Sequence, residues 1–322
     1  MPKIRIGVLR GGPSNEHEVS LETGKQIIEH LPESKYQPLD IFISKEEKWF
    51  YQNKELEPVQ ILTLVDAVFN GLHGYFGEDG KVQKILESHQ KPYTGSRVIS
   101  SMAAMDKSFS RELFKKAGLK VAPGFAVKKG DDPKEILRRA VLEVGPPWII
   151  KPAESGSSIG IGVARNPYEF VLALDSCLKD WDKIIIEKYI KGREATVAVL
   201  ENFRKNSYYP LPIIEIIPAN SSTKIFDYQS KYDSKTREIC PGRFGDKIKG
   251  RAFESAVKAH QALGLRHYSR IDMIITPQDE IYVLEANSLP GLTKESLFPK
   301  AALSVGLEFP QLLDHLVRLA MK

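Results

Sequence analysis

Arg270, Asp272, Glu285 and Asn287 are the residues of this 322-residue chain whose types and spacing most directly suggest chemistry. They belong to SRIDMIITPQDEIYVLEANSLPGLTKES, which runs from Ser269 to Ser296 and reads as a β-hairpin. Two β-rich runs, Arg270 to Thr276 and Ile281 to Glu285, flank the turn-prone Pro277, Gln278, Asp279 and Glu280. Pairing Thr276 with Ile281 sets Asp272 opposite Glu285 and Arg270 opposite Asn287, all on one face, because side chains alternate along a strand. Opposed Cβ atoms lie roughly 5 Å apart, and two carboxylates that close repel unless something positive sits between them. A hard divalent cation fills that role: Mg²⁺ takes oxygen ligands and is usually held by one or two carboxylates together with substrate phosphates. Arg270 is then placed to hold a developing negative charge. The competing reading is a surface hairpin whose charges face water, and a one-residue slip of register would scatter the patch.

Further candidates lie upstream. Lys151 ends the apolar strand Trp148-Ile149-Ile150 and leads into a loop from Pro152 to Gly160 that contains Ser155, Gly156, Ser157 and Ser158. An ammonium followed by hydroxyls and glycine N–H groups offers donors to phosphate oxygens. The spacing is not that of a P-loop, and the same composition suits a flexible surface hairpin. His73 lies just past a strand expected over 66–72, where open α/β sheets place their ligand crevices, although a lone histidine there is often simply packed. Glu78 and Asp79 suit the N-terminus of the next helix electrostatically. Gly11-Gly12 between the first strand and helix resembles a dinucleotide turn but lacks G-x-G-x-x-G.

The elements that must position these residues follow from periodicity and punctuation. Strands are expected at 3–9, 39–43 and 66–72, with helices at about 16–31 and 81–89. A new unit starts near Thr94-Gly95-Ser96, with helices at 106–117, 133–143 and 167–178 and strands at 124–127, 148–151 and 183–187. A strand at 193–200 opens a third unit. A polar stretch between Pro218 and Gly245 carries Phe226, Tyr228 and Tyr232, and an ordered-looking loop of that length reads as a lid. Helices follow at about 246–263 and near both ends of 295–321.

Bulk properties narrow the class. The chain is 42% apolar and 27% charged, as globular proteins are, and its length suits two or three domains. The net charge of +5 is dispersed, with no basic block interleaved with aromatics, so no nucleic-acid partner is expected. Cys177 and Cys240 have no metal-ligand spacing and read as free thiols of a reducing cytoplasm. No run approaches a membrane span or a signal peptide, so no membrane partner is expected.

Seven stretches in order, GGPSNEHEVSL, LHGYFGEDG, AMDKSFSRELFKKAGL, IIKPAESGSSIGIG, IEKYIKGREATVAV, FDYQSKY and YSRIDM with VLEANSLPGLTKESLFP, resemble the D-alanine–D-alanine ligases of the ATP-grasp superfamily. They span nearly the whole chain. The resemblance implies an α/β (α+β) ATP-grasp fold behind an N-terminal open α/β (pre-ATP-grasp) domain. The implied division is 1–95 for substrate binding, 96–187 for the central lid subdomain, and 188–322 for the catalytic domain with a mobile loop at about 219–244. It also implies a cytoplasmic homodimer with small-molecule substrates, D-alanine and ATP, and a role in peptidoglycan precursor synthesis. ATP phosphorylates one D-alanine carboxylate, and a second D-alanine amine attacks the acyl phosphate.

The family's site residues carry over position by position. Asp272, Glu285 and Asn287 match ligands of Mg²⁺, two ions, with Mn²⁺ able to substitute; Arg270 and the Gly291 backbone match stabilisers of the tetrahedral oxyanion. Lys107, Lys151, Ser158 and Lys231 correspond to ATP-binding positions, and Glu187, Lys188, Ile190 and Glu194 to adenine and ribose contacts. Glu16 and His73 match the first-substrate site, and Ser296 and Leu297 the second. Glu16, Ser157 and Tyr232 resemble a hydrogen-bonded triad that closes the lid, and tyrosine rather than phenylalanine at 232 favours a dipeptide product. Arg10, Phe226, Gln229, Ser230 and Lys294 depart from the pattern. The rival readings are a ligase taking D-Ser or D-Lac as second substrate, a nucleotide-binding module without turnover, and, from the Gly-Gly turn, a dinucleotide oxidoreductase.

Overall fold

The computed structural model describes residues 2–154, 160–218 and 236–322. Strands β1 (Ile4–Gly11), β2 (Tyr36–Ile43), β3 (Trp49–Tyr51), β4 (Lys54–Glu55) and β5 (Ala67–Asn70) form a five-stranded sheet in the order β4-β3-β2-β1-β5. β1 runs parallel to β2 and β5, which accounts for its nearly continuous apolar run: a central parallel strand is covered on both faces. Helix α1 (His17–His30) packs back on β1, with α2 (Pro58–Thr63) and α3 (Lys81–Ser88) completing this region. Gly11 makes the turn between β1 and α1 at φ 91°, where a Cβ would lie 2.4 Å from the Ile43 carbonyl oxygen. Only glycine fits both that dihedral and that approach, and the turn brings Glu16 to the sheet's carboxyl end.

Helices α4 (Val98–Met105) and α5 (Lys107–Lys116) come next, and α4 was not expected from the sequence. Asp106 caps α5 by accepting the Ser108 and Phe109 N–H groups, which starts the helix at Lys107. Strands β6 (Gly124–Lys128), β7 (Trp148–Pro152), β8 (Gly162–Ala164) and β9 (Lys183–Lys188) form an antiparallel sheet in the order β6-β9-β7-β8. Helices α6 (Pro133–Arg139), continued by one π turn over Ala140–Val144, and α7 (Pro167–Asp180) bury Ile136, Ala140, Phe170 and Leu174 against it.

Among the described residues the third sheet has six strands: β10 (Arg193–Phe203), β11 (Asn206–Pro210), β12 (Ile214–Ile217), β13 (Arg237–Ile239), β14 (Tyr268–Ile275) and β15 (Ile281–Asn287). Their order is β13-β12-β10-β14-β15, with β11 beside β10. Helix α8 (Asp246–Ala262) lies between β13 and β14, and α9 (Leu297–Leu303) and α10 (Phe309–Ala320) follow β15. Side chains of α4, α5 and α8 share one core with β10, β14 and β15, while α9 and α10 share another with β1 and β5. The second core also takes in Ala198 and Leu200 of β10 and Tyr268 of β14, and it fixes the first and third sheets against each other. Among the described residues, no helix is long and apolar enough to cross a membrane.

The β14–β15 hairpin corrects the expected register. Ile275, not Thr276, pairs with Ile281, because the turn spans 276–280 with Asp279 left-handed at φ 62°. Carried on unbroken, that register would pair Asp272 with Leu284 and turn Glu285 into the core. Instead the pairing shifts between Asp272 and Met273, and Leu284 becomes the extra residue of a β-bulge. Asp272 then faces Glu285 and Arg270 faces Asn287, as expected at the functional end.

Candidate active site

A cavity of about 690 Å³ opens where the three sheets converge. The hairpin forms its floor. Arg270 donates from Nε and Nη2 to the two Asp272 carboxylate oxygens at 2.8 Å each, and Thr196 Oγ1 on the neighbouring strand donates to Asp272 Oδ1 at 2.6 Å. Glu285 faces Lys107 Nζ at 3.4 Å, and the Asn287 amide oxygen accepts the Leu289 N–H at 2.9 Å. The bulge places both Leu284 and Glu285 on the cavity floor. Burial opposes the Arg270 charge, but Asp272, with Glu285 and Glu78 behind it, outweighs burial and holds the guanidinium more firmly protonated than usual.

Asp272, Glu285 and Asn287 fit a hard cation by donor chemistry: two carboxylates and an amide oxygen on one face. Among the described residues no three His, Cys, Asp or Glu side chains gather into a metal cage. That is the donor number Mg²⁺ uses when phosphates and water complete its shell.

One wall carries the cations. Lys107, the first residue of α5, is tied by its backbone N–H to the Ala153 carbonyl. Lys151, next to last in β7, has its ammonium 2.7 Å from Glu187 Oε2, and Arg111 donates to the other Glu187 oxygen and, at 2.7 Å, to the Ala122 carbonyl. Burial lowers the Lys151 ammonium to about 7; Glu285 opposes the shift, and Lys107 and Arg111 add to it. Beside this cluster, Lys188 donates its ammonium to the Gly145 and Pro146 carbonyls at 3.1 and 2.6 Å. Ile190 and Glu194 continue the cavity wall along the chain's path from β9 to β10.

At the opposite end, Glu16, His73 and Glu78 line the cavity. His73 Nε2 is 2.9 Å from Thr23 Oγ1, its Nδ1 lies 3.8 Å from Glu78, and Glu78 accepts the Gly74 N–H at 2.8 Å. Asp79 does accept the first N–H of α3, as the sequence suggested, but Glu78 turns into the cavity instead. Gly291, Ser296 and Leu297 complete this side; a Cβ on Gly291 would come within 2.8 Å of the Ser296 hydroxyl, which the Thr293 N–H and hydroxyl already engage.

The structure therefore gathers Glu16, His73, Lys107, Lys151, Glu187, Lys188, Ile190, Glu194, Arg270, Asp272, Glu285, Asn287, Gly291, Ser296 and Leu297 around one cavity. Ser157, Ser158, Lys231 and Tyr232 lie outside the described residues, as do Phe226, Gln229 and Ser230. Arg10 pairs with Asp40 at 2.5 Å away from the cavity, and Lys294 is exposed. Sequence reasoning missed Arg111, Thr196 and Thr23. Arg111 did leave a signal, since it is a charged residue on the α5 stripe that also buries Ser110 and Phe114.

Comparison with known proteins decides the family. Residues 113–318 match the family model described as D-ala D-ala ligase C-terminus, and residues 5–63 and 54–96 match D-ala D-ala ligase N-terminus. The chain belongs to the D-alanine–D-alanine ligase family. It is 39% identical to the D-alanine–D-alanine ligase of Syntrophobacter fumaroxidans over 99% of this chain and 98% of that protein. Among solved structures, the D-alanine–D-alanine ligase of Bacillus anthracis is 32% identical, with a TM-score of 0.84 over 99% of this chain and 97% of that one. The VanG D-Ala:D-Ser ligase of Enterococcus faecalis is 30% identical, with a TM-score of 0.86 over 99% of this chain and 100% of that one. The Bacillus anthracis ligase complexed with ATP is 29% identical, with a TM-score of 0.81 over 99% of this chain and 97% of that one. The fold is accordingly the ATP-grasp fold of these ligases, mixed α/β.

Proposed function

We propose that this protein joins two D-alanines into D-alanyl-D-alanine for peptidoglycan precursors, converting ATP to ADP and phosphate. The observation that carries the reading is the face of the β14–β15 hairpin, where Arg270, Asp272, Glu285 and Asn287 line one cavity with Lys107 and Lys151. Binding ATP alone would not need Arg270 on that face, which weighs against a nucleotide-binding module without turnover.

In this reading Lys107 and Lys151 hold the ATP phosphates, and the wall running from Glu187 through Lys188 and Ile190 to Glu194 receives adenine and ribose. Asp272, Glu285 and Asn287 would hold Mg²⁺, two ions, or Mn²⁺ in its place. Bound there, the metal neutralises and orients phosphoryl oxygens. Glu16 takes the ammonium of the first D-alanine, and His73 stands by its carboxylate, steadied by Thr23. That carboxylate oxygen attacks the γ-phosphorus, ADP leaves, and an acyl phosphate forms. The second D-alanine, its carboxylate held at Ser296 and Leu297, attacks the acyl carbon with its free amine. Arg270 and the Gly291 N–H stabilise the oxyanion, phosphate leaves, and the amine loses a proton as the amide forms. Ser157, Ser158, Lys231 and Tyr232 keep the roles that resemblance assigns them.

The proposed domains, 1–95, 96–187 and 188–322, draw support from the three sheets, each of which falls within one of them but for Lys188 at the end of β9, and α4 and α5 pack on the last. A cytoplasmic homodimer completes the proposal.

A second reading, D-serine as the second substrate, draws on the similarity to the Enterococcus faecalis D-Ala:D-Ser ligase. Phosphate release from ATP with Mg²⁺, measured with D-alanine, L-alanine, and D-alanine plus D-serine or D-lactate, and with products identified by mass, separates the readings. Release that requires D-alanine and yields its dipeptide is the expected result. A mixed product formed in preference to the dipeptide would favour the second reading, and no release in any of these mixtures despite ATP binding would overturn both.

A further inference from the structure

Arg111 has no part in the chemistry described above, yet it is 3% exposed and charged. It stands one helical turn after Lys107 on α5, so one helix sends Lys107 into the cavity and Arg111 into the protein interior. Its guanidinium meets Glu187, itself 3% exposed, and the Ala122 carbonyl, while the second Glu187 oxygen holds the Lys151 ammonium. A buried lysine–carboxylate pair alone would be neutral, with the ammonium turned toward its own partner and little field left for a phosphate. With Arg111 and a protonated Lys151 the three groups sum to one positive charge. The Glu187 carboxylate is pinned from behind at one oxygen, so Lys151 is held at the other on the cavity side.

We propose that Arg111 is a positioning residue for nucleotide binding: by holding Glu187 it fixes the Lys151 ammonium toward the cavity with a net positive charge available to ATP phosphates. This rests on the reading of the cavity as an ATP site. Charge and fork geometry both matter, because Arg111 must reach Glu187 and Ala122 at once, which lysine's single ammonium does less well.

The test compares Arg111→Met, Arg111→Lys, Glu187→Gln and the double variant Arg111→Met with Glu187→Gln, all as full chains. MgATP and MgADP binding are measured by calorimetry, with steady-state kinetics in parallel. Wild-type binding comes first: if the wild type binds neither nucleotide, the reading of the cavity fails, independently of Arg111. Given wild-type binding, Arg111→Met is expected to weaken nucleotide binding about tenfold or more and to raise KM for ATP by a similar factor, with kcat and the KM for D-alanine changed much less. Arg111→Lys is expected to recover part of the loss. In the Glu187→Gln background, Arg111→Met is expected to add little further loss, because its effect runs through that carboxylate. Native nucleotide affinity in Arg111→Met, or in Arg111→Lys should the Met variant fail to fold, would overturn the proposal. So would full additivity of the two single losses in the double variant.

Discussion

On the floor of the cleft, the Arg270 and Asp272 side chains are 16% and 17% exposed and that of Glu285 is 28% exposed; on the wall, the Arg111 and Glu187 side chains are 4% exposed and that of Lys151 is 9% exposed. Both regions pair acids with bases, but the exposure sets what each pair can do. Floor groups touch solvent and one another, so an arriving phosphoryl group or cation can take over a partner at modest desolvation cost. Wall groups are dry, and separating them strands a charge in the interior, which costs several kcal/mol. The floor is therefore built to exchange partners during a reaction, and the wall to keep its charges still.

Substitutions can break this contrast. Asp272→Ala and Glu285→Ala should each lower turnover by about 10³-fold or more while the thermal unfolding transition moves little; near-normal rates would remove the metal assignment. Arg270→Met should lower kcat by about 10²- to 10³-fold with a smaller change in KM for ATP, read from initial rates. On the wall the balance reverses: Glu187→Leu should destabilise the fold by about 3 kcal/mol, seen in denaturant unfolding, because it leaves two buried cations without their shared carboxylate. An unfolding midpoint equal to that of the wild type would mean that the wall is wetter than the structure indicates.

The wall also predicts a pH dependence. In the free protein the buried Lys151 ammonium sits near 7, and phosphates favour its charged form. Nucleotide binding should therefore take up a proton, and affinity should fall as pH rises above about 7. Over the same window kcat should rise, since the second D-alanine must present a free amine. Calorimetry in buffers of different ionisation enthalpy reads the proton uptake directly, and its absence above neutral pH would contradict the dry wall. The smallest effect is expected at the bulge, where Leu284→Ala should weaken ATP binding by roughly threefold to tenfold through lost apolar contact, with kcat nearly unchanged.

The two regions also differ in how far they could be read from the chain. Alternation along 270–287, local and of period 2, placed Arg270, Asp272, Glu285 and Asn287 on one face. It did so from a turn register that was off by one residue, and the bulge at Leu284 supplied the missing residue. Bulges depend on packing against neighbouring strands, so no hairpin pattern announces one. Positions such as Lys107, Lys151 and Glu16 were legible through family motifs, whose order along the chain is a property of sequence alone.

What the sequence by itself determined is the fold class, the family and many of the polar groups that converge on the cavity, because periodicity and motif order are encoded residue by residue. Only the tertiary structure decided how those groups share charge. Arg111 meets Glu187 across 76 positions of chain, Thr196 reaches Asp272 from an adjacent strand, and Glu78, in the turn ahead of α3, faces the cavity beside His73. Each contact is made by packing between elements distant in sequence, and the balance of burial against Coulomb attraction that sets the site's electrostatics exists only once those elements are assembled.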